Sequence, residues 1–546
     1  MACVRWPLFL LLLLAATGCD PEKVSEDRVM ITVFHKDGFG FPQTFNPITS
    51  LRVTVVDRSS GQRLNQSVFR IDAPSDEVTV DQIPFGSNRQ VYVEGLGAIG
   101  QTLASGVTPS FDEGQTDEPG MRNFLVYLTE VGSISPLSAI FAGPEVRPSP
   151  FVLGPRSGHT ASTLPDGRVM IVGGAKLTGY NLGLKCAYGP CPPAIGNIES
   201  IYDTLEVYEP TNGYFDSAKR NGMGFKLSTP RVHHCTVKML DGSLLVIGGL
   251  TLNVNKQLVG AKSADLISVE GDGFRISTIE LPEARIRHAC AVTGNGTVIV
   301  TGGMRYDDQG EIIALDSVDV LAPNTQAFVS APSFEGARWD HTAVAVGELV
   351  MLSGGTNGQE VLSDAQVLVG GAFLSLGEMQ QARFGHSSIL LSKDGGRYVL
   401  AIGGFTSPDE SEATSTYEVF DVVEQRWVEQ LSGSSMRRAR AYFDLVELES
   451  GDLLALGGIG LPPEGGRLGS IRSVELLTRD TSSTATFSAQ ELSSQLSAGR
   501  FDTASVVLSG GLVLITGGGR YEEGGFASYQ LSDVYNPGPP LSVLAP

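Results

Sequence analysis

An aspartate and a histidine stand side by side at Asp340 and His341, within the segment ARWDHTAVAVGELVMLSGG. A carboxylate next to an imidazole could carry out general acid–base chemistry. Segments of the same form occur seven times between residues 156 and 518, and five of them hold a histidine at the equivalent position. Because a proton-transfer residue is needed at one place and not in every repeat, the recurrence predicts that this Asp–His pair belongs to the scaffold.

Each of the seven segments begins with an arginine and ends with two glycines. Two apolar, alternating runs lie between them, joined by a turn rich in Asp-Gly or Gly-Gly, and this pattern predicts a β-hairpin. A third strand, such as residues 203–210, follows the diglycine, and several repeats add an aromatic pair such as Phe420 and Trp427. The arginines are Arg156, Arg231, Arg285, Arg338, Arg383, Arg440 and Arg500. The diglycines are Gly173 and Gly174, Gly248 and Gly249, Gly302 and Gly303, Gly354 and Gly355, Gly403 and Gly404, Gly457 and Gly458, and Gly517 and Gly518.

This combination closely resembles the kelch repeat, over residues 141–546. The resemblance implies a seven-bladed kelch-type β-propeller with one four-stranded blade per repeat. The recurring histidines are then expected to pack or hydrogen-bond between strands. They are His159, His234, His288, His341 and His386, which Phe443 and Thr503 replace in the last two repeats. Since an open blade would expose an unpaired edge, we expect the segment from Phe151 to Gly154 to close the seventh blade by pairing with Asp533–Tyr535.

Residues 28–136 lack the diglycine repeat. They show about seven short alternating runs parted by turn residues, which favours a small β-sandwich of immunoglobulin-like or transthyretin-like form. The predicted fold class is therefore all-β, with a β-sandwich before the propeller.

Residues 1–19 combine an early arginine, a short apolar core and small residues before Cys19. The segment is too short for a lasting membrane span and is similar to a bacterial lipoprotein signal peptide. We therefore expect lipidation of Cys19, residues 20–27 as a linker, and a cell-envelope protein that touches membrane only through its lipid. The formal net charge of −21 argues against a nucleic-acid partner.

The cysteines and histidines predict no cofactor and no metal site. Cys186 and Cys191 bracket a Gly-Pro turn and are expected to form a disulfide in an oxidising compartment. Cys235 and Cys290 lie within strand patterns and are expected to be buried free thiols. A copper site similar to that of the galactose oxidase family is not expected, because none of the seven histidines lies in the last 160 residues.

Two near-identical loops follow the third and seventh diglycines and could contact a ligand. Their candidate residues are Arg305, Tyr306, Asp307 and Asp308 in one loop, and Arg520, Tyr521, Glu522 and Glu523 in the other. The alternative is that both are solvated hairpin tips. The sequence therefore predicts a non-enzymatic scaffold that binds a protein or glycan on the loop face of the propeller. The alternatives are a carbohydrate-active enzyme, similar to a sugar mutarotase or less closely to galactose oxidase, and a structural envelope component.

Overall fold

The computed structural model describes residues 28–34, 48–60, 62–70, 75–80, 83–84, 86–108, 111–113, 121–137, 152–180, 198–210, 213–220, 223–271, 273–307, 309–428, 435–461, 468–480, 485–522 and 525–539. The fold there is all-β, and a short 3₁₀ helix spans Ser392–Asp394. None of the helical segments in these ranges has the length and apolar character needed to cross a membrane. The expected roles of Cys19, Cys186, Cys191, Asp308 and Glu523 concern residues outside these ranges.

Before residue 131 the described chain forms two sheets that share one core. Alternate side chains of the second strand, among them Leu51 and Val53, are buried against Ile31 and Val78 of the other sheet. The strands are β1 (Arg28–Phe34), β2 (Ser50–Asp57), β3 (Gln62–Arg70), β4 (Ser75–Val80), β5 (Gly86–Leu96), β6 (Thr102–Val107), β7 (Phe111–Glu113), β8 (Met121–Tyr127) and β9 (Thr129–Glu130). One sheet has the order β4-β1-β8, and the other has the order β3-β2-β5-β6-β9 with β7 paired to β5.

Seven four-stranded antiparallel sheets of one pattern follow, and we call them repeat sheets 1 to 7. In each, the first strand is largely half-buried and the second is buried along almost its whole length. The first strands of neighbouring sheets contact one another in a closed series from sheet 1 to sheet 7 and back to sheet 1, so they surround a central axis. In strand order, sheet 1 comprises β11 (Thr160–Thr163), β12 (Val169–Val172), β15 (Leu205–Glu209) and β16 (Tyr214–Ser217). Sheet 2 comprises β19 (Cys235–Lys238), β20 (Leu244–Ile247), β23 (Ser263–Glu270) and β24 (Gly273–Glu280), and sheet 3 comprises β25 (Ala289–Val292), β26 (Val298–Thr301), β29 (Val318–Leu321) and β30 (Val329–Ala331).

The later repeat sheets keep the same strand order. Sheet 4 comprises β31 (Thr342–Val346), β32 (Leu349–Ser353), β33 (Asp364–Val369) and β34 (Ala372–Glu378), and sheet 5 comprises β35 (Ser387–Leu390), β36 (Tyr398–Ile402), β37 (Tyr417–Asp421) and β38 (Arg426–Trp427). Sheet 6 comprises β39 (Asp444–Glu447), β40 (Leu453–Leu456), β43 (Val474–Arg479) and β44 (Phe487–Glu491). Sheet 7 comprises β45 (Ala504–Val507), β46 (Val513–Thr516), β49 (Ser532–Asn536) and β10 (Ser133–Pro136).

Small hairpins follow several diglycines at one end of the repeat sheets. They pack on an apolar cluster with a member from every repeat, including Val232, Trp339, Phe405 and Phe501. Their strands are β13 (Ala175–Tyr180), β14 (Ile198–Ile201), β21 (Leu250–Leu252), β22 (Leu258–Gly260), β27 (Met304–Tyr306), β28 (Ile312–Ala314), β41 (Ile459–Gly460), β42 (Gly469–Ser470), β47 (Gly519–Glu522) and β48 (Gly525–Ser528). A further hairpin joins β17 (Lys219–Arg220) to β18 (Met223–Gly224). We call the end that carries the post-diglycine hairpins the hairpin end.

The strand that completes sheet 7 comes from before the first repeat, as expected, but it is a different strand from the one the sequence indicated. Ser133–Pro136 pairs with β49, with Ile134 opposite Tyr535. The expectation for Phe151–Gly154 is wrong, because its described residues form no strand. Leu153 instead donates its backbone N–H to Glu206 of sheet 1 at 2.8 Å. The closing strand thus follows directly from the N-terminal sheets.

The N-terminal sheets also contact sheet 7 through buried amides. Asn536, at the end of β49, donates from Nδ2 to the backbone oxygens of Ser105 and Thr129 at 3.2 and 2.8 Å. Gln90 donates from Nε2 to the backbone oxygen of Ser509 at 3.0 Å. Because these groups are buried, their bonds hold the two parts of the chain in one arrangement.

Candidate functional site

The seven recurring arginines form a buried scaffold layer, which we call the arginine layer. Each side chain is at most 1% exposed. Each donates to the backbone oxygen of the first glycine of its own diglycine, as Arg440 does to Gly457 at 2.8 Å. Each also meets a carboxylate on the third strand of its own sheet, and Arg440 meets Glu475 at 2.5 Å. The carboxylates, in chain order, are Glu206, Asp265, Asp319, Asp364, Glu418, Glu475 and Asp533.

The recurring histidines lie between neighbouring repeat sheets. His341 Nε2 lies 2.8 Å from Thr301 Oγ1 of the preceding sheet, and its ring covers Gly302, where an added Cβ would approach within 2.9 Å. Burial lowers the pKa of His234 and of His386 to about 3, so both are uncharged at neutral pH. These positions suit packing between sheets and not proton transfer.

The residues two places after the arginines surround the central axis, and we call them the axial ring. Their backbones form a closed circle, since the N–H at each position donates to the carbonyl of the preceding one at 2.9 to 3.4 Å, and Gly158 donates to Asp502. All seven have left-handed φ, between 48° and 62°. The members of the axial ring are Gly158, His233, Arg287, Asp340, Gly385, Tyr442 and Asp502.

Three side chains of the axial ring form one polar group. Arg287 Nε meets Asp340 Oδ1 at 2.8 Å, and the Tyr442 hydroxyl donates to Asp340 Oδ2 at 3.0 Å. The Arg287 guanidinium also lies 4.9 Å from the centre of the Tyr442 ring. Tyr442 reaches Asp340 across Gly385, where an added Cβ would come within 2.6 Å of its ring. Gly385 therefore supplies both the left-handed backbone and the space that this contact requires.

A second pair repeats this arrangement across the other glycine. His233 lies over Gly158, and its Nδ1 is 3.8 Å from Asp502 Oδ2. Burial raises the pKa of Asp502 to about 7, and Arg287 opposes that effect while Asp340, Asp444 and Glu410 add to it. Burial also lowers the pKa of His233 well below its ordinary value. Asp502 is therefore poised to gain and lose a proton near neutral pH.

Two more carboxyl groups lie near the axial ring. Glu410 is buried in the segment between Phe405 and Ala413, which follows the fifth diglycine, and its charge acts on Asp502. Asp444 begins β39 and accepts hydroxyl hydrogen bonds from Thr503 and Ser505 of sheet 7 at 2.8 and 2.6 Å. Burial raises the pKa of Asp444 to about 6. Several acid–base side chains thus lie in or near the axial ring.

The two loops that the sequence singled out lie on separate hairpins. Arg305 meets Glu283 at 3.1 Å, and Asp307 accepts from the backbone of its own turn. Tyr306 and Tyr521 both pack on the apolar cluster at the hairpin end. Arg520 is exposed, and Glu522 ends β47. Their role in ligand contact stays a prediction, and the structure does not bring the two loops into one site.

The expectation of free thiols at Cys235 and Cys290 is wrong, because the two form a disulfide between the first strands of sheets 2 and 3, with Cα atoms 6.2 Å apart. Cys235 is the fourth residue after its arginine, and Cys290 is the fifth after the next one. Thr160 and Thr236 occupy the same two positions at the previous junction, with their hydroxyls 2.8 Å apart. Sequence reasoning missed the pairing because it considered each strand alone and not its neighbour around the axis.

Sequence reasoning also missed the axial ring, because it assigned Asp340 to the scaffold together with His341, whereas Asp340 contacts Arg287 and Tyr442 in that ring. The sequence did contain a signal for the axial ring, because the position two residues after each recurring arginine varies, while the arginine itself is constant and the next position is histidine in five of the seven repeats. No group of three or more His, Cys, Asp or Glu side chains among the described residues is arranged to hold a metal ion.

The repeated four-stranded sheets, with their Arg and diglycine positions, define a kelch-like β-propeller. No family model matches the chain. Alpha-scruin of Limulus polyphemus is 27% identical over 129 residues, which are 23% of this chain and only 14% of alpha-scruin. The solved structure of YjhT aligns with a TM-score of 0.42 and 13% identity, covering 62% of this chain and 99% of YjhT.

The expectation that the chain is not an enzyme is contradicted. The ground of the expectation was the lack of a group of acid–base residues in the sequence, and this ground fails. Arg287, Asp340, Tyr442 and Asp502 all lie in the axial ring, where the first three contact one another.

Proposed function

We propose that the chain is an exported, lipid-anchored, seven-bladed kelch-type propeller that binds a sugar at its axial ring and interconverts the sugar's forms by general acid–base catalysis. The N-terminal sheets would serve as an immunoglobulin-like sandwich between the lipid on Cys19 and the propeller. The observation that carries the catalytic part is the axial ring, which holds Asp340, Tyr442 and Asp502 around one axis. Ring opening and closure of a reducing sugar needs a proton donor and a proton acceptor and no redox cofactor.

The roles follow from the surroundings of each group. Asp502 accepts no hydrogen bond from the described residues and has a pKa of about 7, which suits a general base or acid. Tyr442 is held by Asp340, and burial raises its pKa well above the ordinary value, so it stays protonated and can donate to a sugar oxygen. The backbone hydrogen bonds of the axial ring hold these side chains in position before a ligand arrives.

Catalysis is tested by following the exchange between anomers of reducing sugars by NMR with the full chain. We expect exchange faster than in buffer, and Asp502→Asn should reduce the gain by about 10²-fold or more. Asp216→Asn is the matched control, because it makes the same change on an exposed outer strand. Equal loss in both variants, or no gain with the unaltered chain, would refute the proposal.

The envelope location has independent support. The Cys235–Cys290 disulfide suits an oxidising compartment. Fractionation of cells that produce Cys19→Ser should find the protein released from membranes or unprocessed. Unchanged maturation and unchanged partition with lipid would show that Cys19 carries no anchor.

A further inference from the structure

We infer that the site at the axial ring selects its ligand by charge, and that it binds uncharged and amine-bearing sugars in preference to sugar acids. The inference rests on the proposed function, since it concerns the ligand of the same site. It follows from two observations about the charged side chains around the axis. The first observation concerns Arg287, which is the cation of the axial ring. The second concerns the carboxyl groups in and near that ring.

Arg287 is the cation of the axial ring, and its side chain already contacts two other members of that ring. Its Nε meets Asp340 at 2.8 Å, its guanidinium lies against the Tyr442 ring, and its side chain is 5% exposed. A carboxylate ligand in forked contact with that guanidinium would compete with Asp340 for it. The arginines of the arginine layer are likewise held by their own carboxylates and glycine carbonyls. Each of these described arginines therefore already has a carboxylate partner, with which an acidic ligand would have to compete.

The carboxylates are in excess over that cation. Asp340 forms an ion pair with Arg287. Asp502 lies 3.8 Å from His233, whose pKa is lowered well below its ordinary value by burial, and Arg287 is the cation that acts on Asp502. Because the pKa of Asp502 is about 7, its carboxyl group is ionised in part at neutral pH. Asp444 accepts its hydrogen bonds from hydroxyls, and the charge of Glu410 acts on Asp502 as well. Burial weakens the screening of these charges, so a ligand carboxylate would be repelled and a ligand amine attracted. Selection arises as much from repulsion of the wrong ligand as from attraction of the right one.

The test compares three sugars that differ mainly in charge, namely glucose, glucosamine and glucuronic acid, by calorimetric titration of the full chain at neutral pH. Glucuronic acid should bind at least about tenfold more weakly than glucose, and glucosamine at least as tightly as glucose. Asp502→Asn should narrow the difference between glucose and glucuronic acid. Asp216→Asn should leave that difference as it is, since Asp216 is exposed on β16.

The outcomes separate this inference from the proposed function. If glucuronic acid binds as tightly as glucose, or if both aspartate variants change the difference equally, the charge selection is refuted while sugar binding stands. If none of the three sugars binds or undergoes faster anomer exchange, the proposed function is refuted and this inference falls with it.

Discussion

The arginine layer and the axial ring lie two residues apart in every repeat, yet they differ in almost every respect. The arginine is the same in all seven repeats, is fully buried and meets a carboxylate of its own sheet. The axial residue is glycine, histidine, arginine, aspartate or tyrosine, and it contacts its counterparts in other sheets. In this repeat protein, different positions of the repeat thus support the fold and form the candidate site. The position that keeps the same residue in every repeat supports the fold, and the position whose residue varies forms the candidate site.

Removal of an arginine should give the largest loss of stability. Arg440→Ala leaves Glu475 buried without its cation, so the free energy of unfolding should fall by about 3–5 kcal/mol in urea denaturation. The double variant Arg440→Met with Glu475→Leu should recover most of that loss, because no unpaired charge remains. A loss below about 1 kcal/mol for Arg440→Ala would show that the layer is not the scaffold.

Asp502→Asn in the axial ring should raise the stability of the folded chain, whereas Arg440→Ala should lower it. Because the pKa of Asp502 is raised to about 7 when folded, its contribution favours the folded chain at low pH and is lost as the pH rises from about 4 through 7. Asp502→Asn should therefore be more stable than the unaltered chain above pH 7, by at most about 4 kcal/mol, and equal to it near pH 4. Thermal unfolding across this range measures the difference. A destabilised Asn variant at pH 8 would place Asp502 with the scaffold.

The Cys235–Cys290 disulfide lies two to three residues after the axial ring in its repeats and allows a further test of stability. Replacement of Cys235 and Cys290 together by alanine should lower the free energy of unfolding by about 2–4 kcal/mol, because the unfolded chain loses a cross-link. Reductant should destabilise the unaltered chain and leave the variant unaffected. Equal responses to reductant would mean that the bond is not formed in solution.

Tyr442→Phe should have the smallest effect on stability. It removes one hydrogen bond to Asp340, which keeps Arg287, so the loss should be about 1–2 kcal/mol in the same denaturation assay. The anomer exchange rate should fall far more than stability does. A loss similar to that of Arg440→Ala would mean that the axial ring supports the fold as strongly as the arginine layer.

The sequence predicted the repeated hairpins well because turn residues and alternation are local signals. Arg440 and Gly457, for example, mark their strands without any knowledge of the fold. It failed where a contact depends on the neighbouring sheet. The closing strand Ser133–Pro136 is four residues long, and only its pairing with β49 distinguishes it from other short apolar runs.

The candidate site was harder to predict than the fold. A search for repeats aligns what is constant, so it discards Asp340, Tyr442 and Asp502 as noise, although the closed ring places them on one axis. The Cys235–Cys290 bond depends likewise on two strands from different repeats. Both features could be found by reading each repeat position across all seven copies, once the ring is known to close.

The closing strand has a consequence for biosynthesis. Ser133–Pro136 emerges during translation almost 400 residues before its partner in β49. Until β49 is made, Ser133–Pro136 has no partner strand, and the repeat sheets can pack only as an open arc. Contacts so distant in sequence form late and slowly. The last strand of the described residues therefore closes the ring, and a nascent chain that stalls before Ser532 leaves Ser133–Pro136 without its partner strand.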